Sequence, residues 1–136
     1  MRTIEFEQIV RAVESLCIAA CHELPDDVRA ALERAASTES NPGAAKILTQ
    51  LLENAAIAAH ERIPLCQDTG LTVVFVEQGA EVTVSDASQG HPATVVDAIN
   101  EGVRAGYESG YLRKSVVADP LKARTNTGTN TPAIVH

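Results

Sequence analysis

Leu71-Thr72-Val73-Val74-Phe75-Val76, followed after Gln78-Gly79-Ala80 by Glu81-Val82-Thr83-Val84, is where the chain changes its period. The first run is β-branched and apolar and reads as a buried strand. The second alternates with period two and reads as its neighbour across a glycine turn. Upstream the spacing is helical: Ile4, Ile9, Val13, Leu16, Cys17, Ala20 and Leu24 recur at three-, four- and five-residue steps until Pro25 stops the stripe. A second helix is predicted from residue 28 to about residue 36, with Asp26 and Asp27 at its positive end. After a turn cluster at 37–43, a third carries Ala44, Ile47, Leu48, Leu51, Leu52, Ala55, Ala56 and Ala59 on one face.

Downstream of the strands, residues 86–90 read as a polar loop and Pro92 as the first position of a fourth helix. Val95, Val96, Ile99, Val103 and Tyr107 continue that helix toward Gly110. Regular pattern fades over 115–131, and residues 132–136 read as the start of a strand. The expected fold is α+β, with N-terminal helices (1–60) packed on a small mixed β-sheet within a mixed α/β part (61–136). Two clear strands are marginal alone, so residues 1–136 are read as a single N-terminal portion of a larger domain.

The 136 residues include two Phe, two Tyr and no Trp, so the core is built from Ala, Val, Leu and Ile and stacking platforms for single-stranded nucleic acid are nearly absent. A formal charge of −7 argues against phosphate-backbone binding. No apolar run is long enough for a membrane span, and no signal peptide is visible. Three cysteines fit a reducing, cytoplasmic setting better than a disulfide framework. The charge is uneven: 111–136 carries +3 through Arg113, Lys114, Lys122 and Arg124 against Asp119, on an otherwise acidic body. That reads either as a local anion site or as a solvated loop.

Dinucleotide, P-loop, zincin and nucleophile-elbow motifs are absent. Cys17 and Cys21 share one side of the first helix without a completing ligand and read as small buried hydrophobes. His60 and His91 lack ligand spacing and read as surface residues. Residues 63–70, Ile-Pro-Leu-Cys-Gln-Asp-Thr-Gly, differ: a thiol, an amide, a carboxylate and a hydroxyl fall within a helix-to-strand connection closed by Gly70. Cys66 reads as a metal ligand, a nucleophile or a buried thiol, and Asp68 as a proton-transfer group or part of a turn. In the 111–115 cluster Arg113 offers a two-pronged face to a carboxylate, or makes a surface salt bridge. Residues 126–132, Asn-Thr-Gly-Thr-Asn-Thr-Pro, either line a polar anion site or cap themselves.

Together these segments resemble the α region of class I, iron–sulfur-dependent fumarate hydratases. Residues 66–70 are similar to that family's Cys-Gln-Asp-Thr-Gly signature. Glu101-Gly102-Val103, the 110–115 segment and residues 126–133 follow in the family's order. Leu16-Cys17-Ile18 and the 24–28 segment resemble its first helices. L-tartrate dehydratase α subunits share the core signature and match less well elsewhere. The resemblance implies a hydro-lyase of the tricarboxylic acid cycle that interconverts L-malate and fumarate plus water. Its [4Fe–4S] cluster is held by three thiolates and acts as a Lewis acid. Cys66 matches the first of these metal ligands, Asp68 a catalytic acid, and Gln67 and Arg113 substrate-binding groups.

The family continues past residue 136 into a glycine-rich stretch and its two later cluster cysteines, which Cys17 and Cys21 do not match. Thr129 stands where the family usually has Asp. The partners implied are the remaining α region, a β subunit or region that holds the catalytic base, a small dicarboxylate and further copies of the chain in a homo-oligomer. The cluster is expected to be absent or incomplete, and the enzyme inactive, in this chain alone. A tartrate-type dehydratase and a non-catalytic assembly or interaction domain with a buried Cys66 are the alternatives.

Overall fold

The computed structural model describes residues 1–85 and 93–136. In chain order the elements are β1 (Arg2–Glu5), α1 (Phe6–His22), α2 (Asp26–Thr38), α3 (Pro42–Glu61), β2 (Val73–Val74), β3 (Val82–Ser85), α4 (Val95–Ser109) and β4 (Ile134–Val135). The fold is α+β, as the change of period predicts. The expected loop at 86–90, the surface reading of His91 and the helix-start reading of Pro92 fall outside the described residues. The chain divides into two compact units, one formed by Met1–Ile18 with Asp68–His136, the other by Ala19–Gln67.

In the first unit, α4 begins with a capping box. The Thr94 hydroxyl accepts the Asp97 N–H at 3.1 Å, and the Asp97 carboxylate accepts the Thr94 N–H at 2.9 Å. The buried face of α4 holds Ala98, Ile99, Val103 and Tyr107, and that of α1 holds Val10, Val13 and Cys17. The two backbones meet because Gly102 and Gly106 carry no side chain there. A Cβ on Gly102 would lie 2.6 Å from Val13 Cβ, and one on Gly106 2.9 Å from Cys17 Cβ. Hydrophobic periodicity predicts both helices, and the four-residue glycine spacing explains their close crossing.

The strand pairing corrects the sequence reading. The 71–76 and 81–84 runs do not pair with each other. β1 pairs with β3 in parallel, Ile4 opposite Val84, and β2 pairs with β4 in parallel, Val73 opposite Ile134. In place of one mixed sheet, the described residues hold two parallel pairs, with one isolated antiparallel bridge between Val117 and Asn126. The Gln78-Gly79-Ala80 turn does form, with the Val82 N–H donating to the Gly79 carbonyl at 3.0 Å. It hands the second run to β1, a partner about eighty residues away in sequence that no local window reveals. Ile4 belongs to that strand and not to the first helical stripe. The first run is also less buried than expected: only Val73 and Val74 form a ladder, and Leu71, Val73 and Phe75 are exposed. Its apolar residues alternate between two environments, as a strand covered on one face requires.

In the second unit, α2 packs on α3, whose start is capped by Asn41: its side-chain oxygen accepts the Gly43 and Ala44 N–H groups at 2.9 and 3.3 Å. The buried positions of α3 are Ala55 and Ala58, while Ile47 and Leu51, expected on the inner face, are exposed. Small residues set a narrow contact stripe, rotated from the one that hydrophobicity alone selects. α3 ends at Arg62, whose left-handed backbone (φ 55°) turns the chain. The guanidinium of Arg62 pairs with Glu23 at 2.7 Å, the Leu65 N–H donates to the Cys21 carbonyl at 2.8 Å, and Asn54 Nδ2 donates to the Leu65 carbonyl at 3.0 Å. These bonds fix the backbone that carries Cys66. Among the described residues, no helix is long and apolar enough to cross a membrane.

Candidate active site

The boundary between the units falls inside the 66–70 signature, so its two halves have separate supports. Cys66 and Gln67 close the second unit. Both are exposed, and the Cys66 thiol donates to Gln67 Oε1 at 3.3 Å. The buried reading of this thiol does not hold. Cys17 is the buried thiol: burial pushes its pKa up, and a contact with the Thr72 hydroxyl at 3.8 Å pulls the other way. The reading of Cys17 as a small hydrophobe agrees with its place between α1 and α4.

Asp68 opens the first unit's share of the signature as the head of a turn. Its Oδ1 accepts the Gly70 N–H at 3.1 Å and the Ser115 hydroxyl at 3.4 Å. Gly70 takes φ +66°, and since a Cβ there would meet nothing within 4 Å, backbone conformation is what selects glycine. The turn is anchored from two sides. The Tyr107 hydroxyl lies 2.9 Å from the Thr69 carbonyl and 3.2 Å from that of Gly70, and the Thr69 hydroxyl donates to the Arg113 carbonyl at 3.0 Å. That last bond brings the Asp68 turn beside the backbone of Arg113. The Arg113 side chain is exposed and forms no ion pair among the described residues, so its salt-bridge reading is not met.

The 126–131 segment caps itself and also supports its neighbours. The Asn126 side chain accepts the Gly128 N–H at 2.7 Å and donates to the Lys114 carbonyl at 2.7 Å. Thr129 and Thr131 share a hydroxyl contact of 2.7 Å, so the Thr129 hydroxyl is satisfied within a neutral pair. Asn130 is fully buried. The sequence places Ser115 and Asn130 inside polar clusters that single out neither residue, and Tyr107 on the apolar face of α4. For Asn130 the available signal was an asparagine inside a run of short polar residues, the residue type that tolerates left-handed backbone (φ 58°).

A three-thiolate cluster needs ligands beyond Cys66. Among the described residues, no three His, Cys, Asp or Glu side chains gather to hold a metal ion. The exposed Cys66 thiol suits one ligand position, and the described residues do not complete the set. A groove of about 420 Å³ in the second unit, lined by Leu24, Arg29, Glu33, Leu52, Ala55 and Ala59 among others, includes none of the signature residues.

Residues 10–136 match the family model described as fumarate hydratase (Fumerase). The chain belongs to this family. It is 38% identical over 114 residues to the "Putative L(+)-tartrate dehydratase subunit alpha" of Methanocaldococcus jannaschii, covering 82% of this chain and 38% of that relative. It is 32% identical over 88 residues to the class I anaerobic fumarate hydratase of Escherichia coli, covering 64% of this chain and 15% of that enzyme. The chain thus spans well under half the length of either relative. Of these two matches the tartrate-type relative covers more of the chain at higher identity, contrary to the weaker likeness expected from the motifs.

Proposed function

We propose that this member of the fumarate hydratase family forms part of an enzyme that reversibly removes water from a 2-hydroxy dicarboxylate, with L-malate and fumarate as its pair. The observation that carries the reading is the Thr69–Arg113 bond. It joins a turn presenting the Asp68 carboxylate to a segment whose exposed guanidinium forms no ion pair among the described residues. Elimination of water needs a group that hands a proton to the departing hydroxyl, and a dicarboxylate needs a fixed cation. Asp68, held through one oxygen by Gly70 and Ser115, moves the proton at its carboxylate. Arg113 grips a substrate carboxylate with two parallel N–H donors, and Gln67 lines the site with its amide.

Cys66 supplies one thiolate to a [4Fe–4S] cluster, whose remaining ligands, like the base that removes the carbon-bound proton, lie elsewhere in the assembled enzyme. Such a cluster contributes Lewis acidity toward the substrate's oxygens when bound. The partners are then the rest of the α region, a β region and further copies of the chain, and the chain alone is inactive. Asp68→Asn in the assembled enzyme tests the reading: kcat for malate dehydration falls by about 10²-fold or more, as expected for loss of a general acid. Full turnover would remove Asp68 from the mechanism.

A second substrate, L-tartrate, is favoured by the longer and closer match to the M. jannaschii relative. Comparing kcat/KM for malate and tartrate on one preparation decides between them.

A further inference from the structure

Resting on the role given to Asp68 above, we infer that Asn130 is the positioning residue for its carboxylate: one buried side-chain amide sets both donors that Asp68 receives. Those donors are the Gly70 N–H at 3.1 Å and the Ser115 hydroxyl at 3.4 Å. They come from segments forty-five residues apart in sequence. Asn130 reaches both. Its Oδ1 accepts the N–H of Ser115 at 2.6 Å and of Val116 at 3.0 Å, while its Nδ2 donates to the Gly70 carbonyl at 3.1 Å. The amide therefore holds, through their backbones, the two residues that touch Asp68.

Asn130 is 0% exposed, and burying an amide is unfavourable unless its hydrogen bonds are made. Here three are made, and all go to backbone groups of the two segments flanking the carboxylate. No single-oxygen side chain does the same, because holding Gly70 needs a donor while holding Ser115 and Val116 needs an acceptor. The Ser115–Asp68 contact lies at the long end of the hydrogen-bond range, so a small displacement of Ser115 breaks it. Asn130 also sits at φ 58°, where Asn is among the few side chains tolerated. Tyr107 supports the Gly70 carbonyl at 3.2 Å, so the turn itself survives loss of the amide. What is lost is the register between turn and serine.

Two variants keep the backbone conformation accessible. Asn130→Gly removes the amide, and Asn130→Asp keeps the acceptor while replacing the donor toward Gly70. In the 136-residue chain, hydrogen exchange of the Ser115 and Val116 amides, both accepted by Asn130 Oδ1, speeds up by about 10-fold or more in Asn130→Gly. Unchanged exchange at both overturns the inference whatever Asp68 does in catalysis.

In the assembled enzyme each variant lowers kcat by about 10-fold with KM within about twofold. Neither lowers it further when Asp68 is already Asn, the non-additivity expected of residues acting through one another. An equal loss in both backgrounds shows a merely structural asparagine and overturns the inference. If Asp68→Asn alone leaves kcat intact, the proposed function fails at Asp68, while the exchange result separately decides whether Asn130 holds Ser115 in register with the turn.

Discussion

Replacing Gly102 by alanine probes the packing that carries the first unit. The added Cβ would lie 2.6 Å from Val13 Cβ and 2.7 Å from the Val10 carbonyl oxygen. Neither neighbour is the free end of a flexible side chain, so the helices must move apart. Overpacking of this kind costs about 1–3 kcal/mol, and contact with a backbone oxygen puts it at the upper end. Alanine returns about 1 kcal/mol through its better helix propensity. The net expectation is a loss of about 2 kcal/mol, which for a domain of this size lowers Tm by about 6–10 °C. Thermal unfolding followed by far-ultraviolet circular dichroism measures it, with Gly79→Ala as control, where the new Cβ would meet only Val82 Cγ2 at 3.5 Å. A Gly102→Ala protein as stable as the parent, or more stable, refutes the close crossing of α1 and α4.

His22 is 3% exposed, neither ring nitrogen has a hydrogen-bond partner among the described residues, and burial followed by the positive charge of Arg62 pushes its pKa down against the pull of Glu23. The unfolded chain therefore takes up the proton first as pH falls: stability holds above about pH 7 and declines below the ordinary histidine value near 6.5. His22→Leu should flatten that decline in denaturant titrations at pH 7.5 and 5.5, the two test conditions. Arg113→Lys in the assembled enzyme should raise KM by about 10-fold or more, since an ammonium does not reproduce the two-pronged grip; an unchanged KM removes Arg113 from substrate binding. In the chain alone, Cys66 should react with a maleimide at least about tenfold faster than Cys17, read by peptide mass, because one thiol is exposed and the other buried with a raised pKa.

The sequence announced its helices well because each spans several turns of a repeating pattern and ends at punctuation that can be read locally: Pro25 before α2, Asn41-Pro42 before α3 and Gly110 after α4. The strands were harder. Val73-Val74 and Ile134-Val135 fall inside runs that read as strands, but parallel partners are joined by long crossovers, so neither period nor turn chemistry shows which strand pairs with which. Residues 2–5 carry a single apolar side chain, which a helical stripe absorbs just as easily. The 66–70 signature was visible as a gathering of functional groups. Its support was not, because Tyr107, Ser115 and Asn130 act through backbone groups of distant residues that no spacing rule connects.

In the proposed enzyme, Cys66 gives its sulfur to iron. The direct measurement is iron per protomer in the assembled enzyme, purified without oxygen, for the parent and for Cys66→Ala. The substitution is expected to leave the protein assembled but to strip most of its iron together with turnover. Undiminished iron and turnover in Cys66→Ala would contradict it.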